Sequence, residues 1–319
     1  MHQTTHGTAK HVSRCLQLAI LLEVSAEKPG NVNRTESFRN TRYEHFLASA
    51  VAANQGLAKA TQRGIMVAEG KIELKSIGIG EIVKEIEENI NSWQHGGNTL
   101  LGTILLLTPM AVAAGMTLIT HKKRFSVTKL REDMKLVVKS TTPQDAVAVY
   151  EAINVANPDG LSKKAPILDV NDPNSKKKIL DENITLYDVF KISSSYDSIA
   201  SEWVKNYPIT FESGLPYFTK QLKDTGNLNI AIVHTFLKIL SETPDTLIAR
   251  KAGLEKAKEV SRRAEEVLRL GGLASSAGRA ELSTFDKELR GPANQYNPGT
   301  TADIIAAVLA ISILNGYRP

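Results

Sequence analysis

The sequence predicts an all-α fold, a single multi-helix domain over residues 1–319 with a largely apolar central helix. Three observations carry that expectation. Proline is excluded from two long stretches, between Pro29 and Pro109 and between Pro244 and Pro292. Proline breaks helix interiors, so both stretches have room for long helices. Apolar residues recur at helical spacing inside them. Alternating apolar and polar runs flanked by turn residues, the mark of strands, are scarce.

Taken in order, the first helix ends in the turn Glu27-Lys28-Pro29-Gly30-Asn31-Val32-Asn33-Arg34, where Gly30 can take backbone angles that other residues avoid. Thr41 and Glu44 have capping-box spacing before the next helix. Ile79, Ile82, Val83, Ile86, Ile90 and Trp93 form one apolar stripe, with Glu and Lys between them. Leu100 to Thr120 carries no charge and has about the length of a bilayer span, yet it contains Gly102, Pro109 and Gly115 and follows a polar turn. A buried central helix, covered by neighbours on every face, is the preferred reading, so no membrane is expected. Asn157-Pro158-Asp159-Gly160 and Asp172-Pro173-Asn174-Ser175 are turn-forming, and residues 157–182 read as a long loop or a helical insertion. Ala257, Val260, Ala264, Val267 and Leu268 give another amphipathic helix, stopped by Gly271-Gly272. Ile304 to Leu314 is apolar but too short to span a membrane. The total is about ten helices.

Composition narrows the function classes. The only cysteine is Cys15, so no intramolecular disulfide can form, and a cytoplasmic location is expected. The first residues lack the apolar run of a secretory signal. Net charge is +5, enough to attract polyanions. The basic runs Lys122-Lys123-Arg124, Lys163-Lys164 and Lys176 to Lys178 are short, and with 6% aromatics there is no base-stacking platform. Nucleic acid is therefore the least favoured partner. Walker-type phosphate loops, zinc spacings, nucleophile elbows and Rossmann glycines are all absent.

Polar clusters at helix starts carry the chemistry. Lys28 and Arg34 are cations suited to phosphate. His95-Gly96-Gly97-Asn98-Thr99 feeds straight into the apolar helix, which puts a polar turn near the protein's centre, and helix starts attract anions. Asn98 or Thr99 as a plain N-cap is the competing reading. Thr243-Pro244-Asp245-Thr246 and Asn297-Pro298-Gly299-Thr300-Thr301-Ala302-Asp303 each open a helix, and capping alone would account for Asp245 and Asp303. Arg250 and Lys251 follow Asp245 closely enough to reach the same site. Asp188 and Asp197 are candidates to share a Mg²⁺ that also binds phosphate oxygens.

In their order, Lys28-Pro29-Gly30-Asn31-Val32 with Arg34, Phe46-Leu47-Ala48-Ser49-Ala50, Gly97-Asn98-Thr99 with Gly102, and Asn297-Pro298-Gly299 with Ala302-Asp303 resemble the triphosphoribosyl-dephospho-CoA synthase family. The resemblance spans roughly residues 20 to 315. It implies an all-α fold and transfer of a triphosphoribosyl unit from ATP to 3′-dephospho-CoA with loss of adenine. Departures from the family pattern are Leu100 and Leu101 after the Asn-Thr turn, Asn33, and the residues around Tyr43-Glu44-His45. The implied site uses Lys28, Gly30, Asn31, Arg34, Gly97, Asn98, Thr99, Arg250, Lys251, Asn297 and Gly299 for substrate and nucleotide. Asp197, Asp245 and Asp303 are its candidate catalytic carboxylates, for charge or metal stabilisation, and Asp188 and Asp197 its Mg²⁺ ligands. ATP is expected as substrate, with a homo-oligomer as a possible assembly. A Mg²⁺-dependent hydrolase or kinase-like enzyme, and a non-catalytic nucleotide or CoA sensor, stay open as alternatives.

Overall fold

The computed structural model describes residues 5–121, 125–158, 167–291 and 294–319. The runs Lys122-Lys123-Arg124 and Lys163-Lys164, and the Asp159-Gly160 half of the turn at 157–160, lie outside them. Among the described residues there are fifteen α-helices and no strand. They are α1 Thr5–Ser25, α2 Tyr43–Ala68, α3 Ile79–Trp93, α4 Leu101–Thr120, α5 Val127–Lys139, α6 Pro143–Ala156, α7 Pro173–Asp181, α8 Leu186–Ser193, α9 Ser198–Lys205, α10 Leu215–Thr225, α11 Leu228–Glu242, α12 Thr246–Ala252, α13 Leu254–Arg269, α14 Ser276–Leu289 and α15 Gly299–Leu314. The all-α expectation holds. The count of about ten was low because short helices such as α7, α8, α9 and α12 are too brief for periodicity to reveal. Asp172-Pro173, read as a turn, opens α7 with Asp172 capping Asn174 N and Pro173 at the first helical position.

The central helix is α4. It is long and apolar enough to cross a bilayer, and 89% of its apolar window is buried inside the protein. Its Pro109 leaves Leu105 O without the usual amide donor four residues on. The indole Nε1 of Trp203 on α9 donates to that oxygen at 2.9 Å, and the hydroxyl of Tyr207 donates to Leu106 O at 3.2 Å. The proline is thus tolerated because a neighbouring element satisfies the freed carbonyl.

Helix α2 crosses α4 at backbone contact. A Cβ on Gly64 would lie 1.9 Å from Val112 O, and one on Gly115 would lie 2.4 Å from Thr61 O. Helix α3 buries its predicted stripe, Ile79, Ile82, Val83, Ile86 and Ile90, while Trp93 at its end is exposed. Helix α15 is buried along nearly all its length and packs against α1 and α4. One continuous hydrophobic core links these helices, and it sets the first turns of α4 and α15 side by side.

Candidate active site

A cavity of about 1100 Å³ opens where α4 and α15 begin. The loop after α1, the end of α6, and α8, α9 and α12 close its other sides. The turn Gly96-Gly97-Asn98-Thr99 forms part of its lining and is itself firmly held. Gln94 Nε2 donates to Gly97 O at 2.8 Å, Thr41 Oγ1 donates to Gly96 O at 2.6 Å, and Thr99 shares a 2.8 Å hydrogen bond with Ser49. Asn98 Oδ1 accepts from Leu101 N at 3.1 Å. The N-cap position is Leu100, so Asn98 supports the first turn of α4 from outside it.

Asp303 and Glu23 form the acidic floor, and both line the cavity. Asp303 Oδ1 accepts from Thr103 Oγ1 at 2.6 Å. Its Oδ2 lies so close to Gly102 that a Cβ there would sit 2.1 Å away. Glycine at 102 is what lets a carboxyl rest on the first turn of α4. Burial pushes the Asp303 carboxyl up to about 8, and the negative neighbours Glu23 and Asp245 push the same way, against the Thr103 hydrogen bond. The positive ends of α4 and α15 favour ionisation by about 0.3–1 kcal/mol each, which is smaller than the burial effect. Glu23 is treated differently. Lys28, fully buried, places Nζ 2.9 Å from Glu23 Oε1 and also donates to the main-chain oxygens of Glu23 and Ala26. Burial raises the Glu23 carboxyl overall, and this ammonium opposes the rise without cancelling it. Glu87 on α3 is 2% exposed, and its Oε1 has no hydrogen-bond partner among the described residues. Burial, with the charge of Asp303, pushes it up to about 8.

Another part of the lining is cationic. Arg250 on α12 and Asp197 at the start of α9 pair at 3.5 Å, and Lys251 lies beside them. Asp197 Oδ1 caps Ala200 N at 3.1 Å, so the acid is fixed by its own helix and in turn orients Arg250. Two buried polar atoms of cavity-lining residues have no partner among the described residues, Arg250 Nε and Asn297 Oδ1. A third face is apolar, made by Val149, Ile153, Val189 and Phe190.

The structure therefore gathers Asn31, Gly97, Asn98, Thr99, Asp197, Arg250, Lys251, Asn297, Gly299 and Asp303 around one cavity. Five other candidates stand apart. Lys28 is committed to Glu23 and supports the floor from behind. Gly30, with φ of +72°, donates its N–H to Asp286 Oδ1 at 2.8 Å and packs on Leu289, which latches the turn to α14. Arg34 is exposed and pairs with Glu27 at 3.6 Å. Asp245 is buried as the cap of α12, accepting from Leu247 N and Ile248 N, and it also accepts from the amide and hydroxyl of Thr301. Asp188 caps α8 through Thr185 and pairs with Lys191, and it does not line the cavity that Asp197 lines. Among the described residues, no three His, Cys, Asp or Glu side chains are grouped to hold a metal. Two helix starts use other contacts than the spacing suggested. At α2 His45 Nδ1 accepts from Arg42 N at 3.1 Å, and Thr41 does not pair with Glu44 but donates to Gly96 O. Asp303 turns away from Thr300 to meet Thr103.

Glu23, Glu87 and Thr103 were not among the residues singled out in the sequence. A signal for the two glutamates is present. Glu87 falls between Val83 and Ile90 on the apolar stripe of α3, and Glu23 falls three and four residues after Ile20 and Ala19 on that of α1. An acid on an apolar stripe marks a buried charge.

The family model described as CitG: ATP:dephospho-CoA triphosphoribosyl transferase matches residues 9–319. The chain belongs to this triphosphoribosyl transferase family. A Klebsiella pneumoniae relative named 2-(5''-triphosphoribosyl)-3'-dephosphocoenzyme-A synthase is 32% identical over 98 residues, 31% of this chain and 32% of its own length. A provisionally named synthase of Malonomonas rubra is 24% identical over 313 residues, covering 95% of this chain and 87% of its own. Several of the curated relatives match over only about a third of their length. A crystal structure from Archaeoglobus fulgidus, provisionally named triphosphoribosyl-dephospho-CoA synthase, superposes with a TM-score of 0.60 at 24% identity over 85% of this chain and 100% of its own, a likeness of fold. In this transferase-family chain the motifs shared with the family divide in two. The Gly97-Asn98-Thr99 and Asn297-to-Asp303 segments face the cavity, and Lys28-Pro29-Gly30 braces it from outside.

Proposed function

We propose that this protein transfers the 5-triphosphoribosyl group of ATP to 3′-dephospho-CoA and releases adenine. The observation that carries the reading is a single cavity, in a member of this family, with a cationic wall and a pair of carboxyls. At about 1100 Å³ the cavity exceeds the roughly 300–1,000 Å³ usual for one small ligand, which suits a donor and an acceptor together. Arg250, with its uncommitted Nε, and Lys251 suit the triphosphate, since a guanidinium binds phosphate in a fixed fork. Mg²⁺ enters with the triphosphate as Mg-ATP, because it prefers phosphate oxygens and few protein carboxylates. The acidic floor suits the ribose carbon, where positive charge develops as the base leaves. The apolar face suits the base or the pantetheine arm.

The test is chromatography of the purified protein incubated with Mg-ATP, with and without 3′-dephospho-CoA. Free adenine that appears only with the acceptor is the expected result. ADP or inorganic phosphate in place of adenine would move the protein to the hydrolase or kinase class. A melting temperature raised by ATP without any product would mark a nucleotide-binding protein instead.

A further inference from the structure

We infer that Asp303 is the general acid that protonates the departing adenine, and that Glu23, paired with Lys28, takes the proton of the attacking hydroxyl. This deepens the transferase reading and rests on it.

Two carboxyls open on the same cavity but are held on different terms. Glu23 has a buried ammonium 2.9 Å away, and an ion pair of that kind favours the carboxylate. Asp303 has no cation partner among the described residues. Gly102 lets it lie flat on α4, and Thr103 fixes one oxygen. Its other neighbours are acids: Glu23 from α1, Asp245 from the start of α12, and Glu87 from α3. Lys28 is spent on Glu23, and Arg250 in the cavity lining is paired with Asp197. Each of those acidic neighbours makes ionisation of Asp303 harder, and the raised titration of Asp303 and Glu87 agrees with the geometry. Two carboxyls on one cavity, one held against an ammonium and the other beside acids, are the arrangement of an acid and base pair.

The C1–N9 bond of ATP breaks with its electron pair leaving on adenine. Asp303 gives its proton to a ring nitrogen of the base and becomes a carboxylate. The acceptor hydroxyl oxygen bonds to C1, and its proton passes to the Glu23 carboxylate. Proton exchange with water restores both groups. Glu87 and Thr103 are positioning residues that tune when Asp303 gives up its proton.

The test uses the full chain and two donors: ATP, and a 5-triphosphoribosyl donor carrying 4-nitrophenolate, which leaves without needing a proton. Asp303→Asn should slow adenine release from ATP by about 100- to 10,000-fold and slow nitrophenolate release by less than about tenfold. Glu23→Gln should slow both. In the wild type, kcat/KM for ATP should fall as pH rises through about 8. Thr103→Val removes a hydrogen bond that favours the carboxylate, so this limb should move to higher pH. Glu87→Gln removes a neighbouring charge, so it should move to lower pH. Folding of each variant is checked by circular dichroism and by retention of the ATP-induced thermal shift. Equal losses on both donors in Asp303→Asn, or a limb that moves in neither tuning variant, would overturn the assignment while leaving the transferase reading intact. A wild type that releases no adenine with dephospho-CoA present would remove the reading and this assignment together.

Discussion

The floor and the cationic wall of the cavity hold their charges in opposite ways. Behind the floor, Lys28 spends its ammonium on Glu23 and two main-chain oxygens, and Asp245 fills all its acceptor positions with Leu247, Ile248 and Thr301. On the wall, Arg250 meets Asp197 at a loose 3.5 Å and keeps Nε without a partner among the described residues. The difference teaches that a cation near a cavity is a ligand group only if its hydrogen bonds are still available. Buried charges that are already satisfied shape the site and set protonation; the half-open ones bind.

Variants can break or sharpen that contrast. Lys28→Met leaves Glu23 as a buried charge without its partner and should cost roughly 3–5 kcal/mol, seen as a large drop in melting temperature. Asp245→Ala removes the cap of α12 and strands Thr301, so a loss of about 2–3 kcal/mol is expected in denaturant unfolding. Arg250→Ala should leave stability nearly unchanged and raise KM for ATP by about 10- to 100-fold, measured by steady-state adenine release. Glu87→Gln should act in the opposite sense on stability. A carboxyl whose folded pKa is raised to about 8 destabilises the fold once pH exceeds the unfolded value near 4.3, and the penalty grows until pH passes the folded value. The glutamine variant should therefore melt a few degrees higher than wild type at alkaline pH and equally near pH 4, by calorimetry. Arg34→Ala, at an exposed pair, should change stability by less than about 0.5 kcal/mol and leave KM for ATP alone. A rise in that KM would return Arg34 to the site.

Much of this was legible in the chain. Proline spacing and the Ile79-to-Ile90 stripe placed the long helices, and the polar turn before α4 lines the cavity, although His95, Gly97 and Asn98 are exposed and not in the protein's centre as the sequence suggested. The sequence also brought Asn98, Arg250, Asn297 and Asp303 under suspicion from four distant segments. It did not reveal direction. Thr243-Pro244-Asp245 and Asn297-to-Asp303 look alike as helix openings, yet Asp245 caps its own helix and Asp303 reaches across to Thr103, because Gly102 on another helix leaves space there. Lys28 and Arg34 look alike as loop cations, but only the packing of α1 decides that one is buried and the other solvated. Glu23 and Glu87 were hidden by the habit of reading acids between apolar residues as surface, when their register places them on the buried stripe.

The central claim is that the cavity floor keeps a neutral carboxylic acid at neutral pH, and infrared difference spectroscopy tests it most directly. Spectra of the full chain taken from mildly acidic to mildly alkaline pH should lose a protonated-carboxyl band with a midpoint at about 8. Part of that loss should vanish in Asp303→Asn and part in Glu87→Gln. A spectrum without any titrating carboxyl in that range, or one that neither variant alters, would contradict the account.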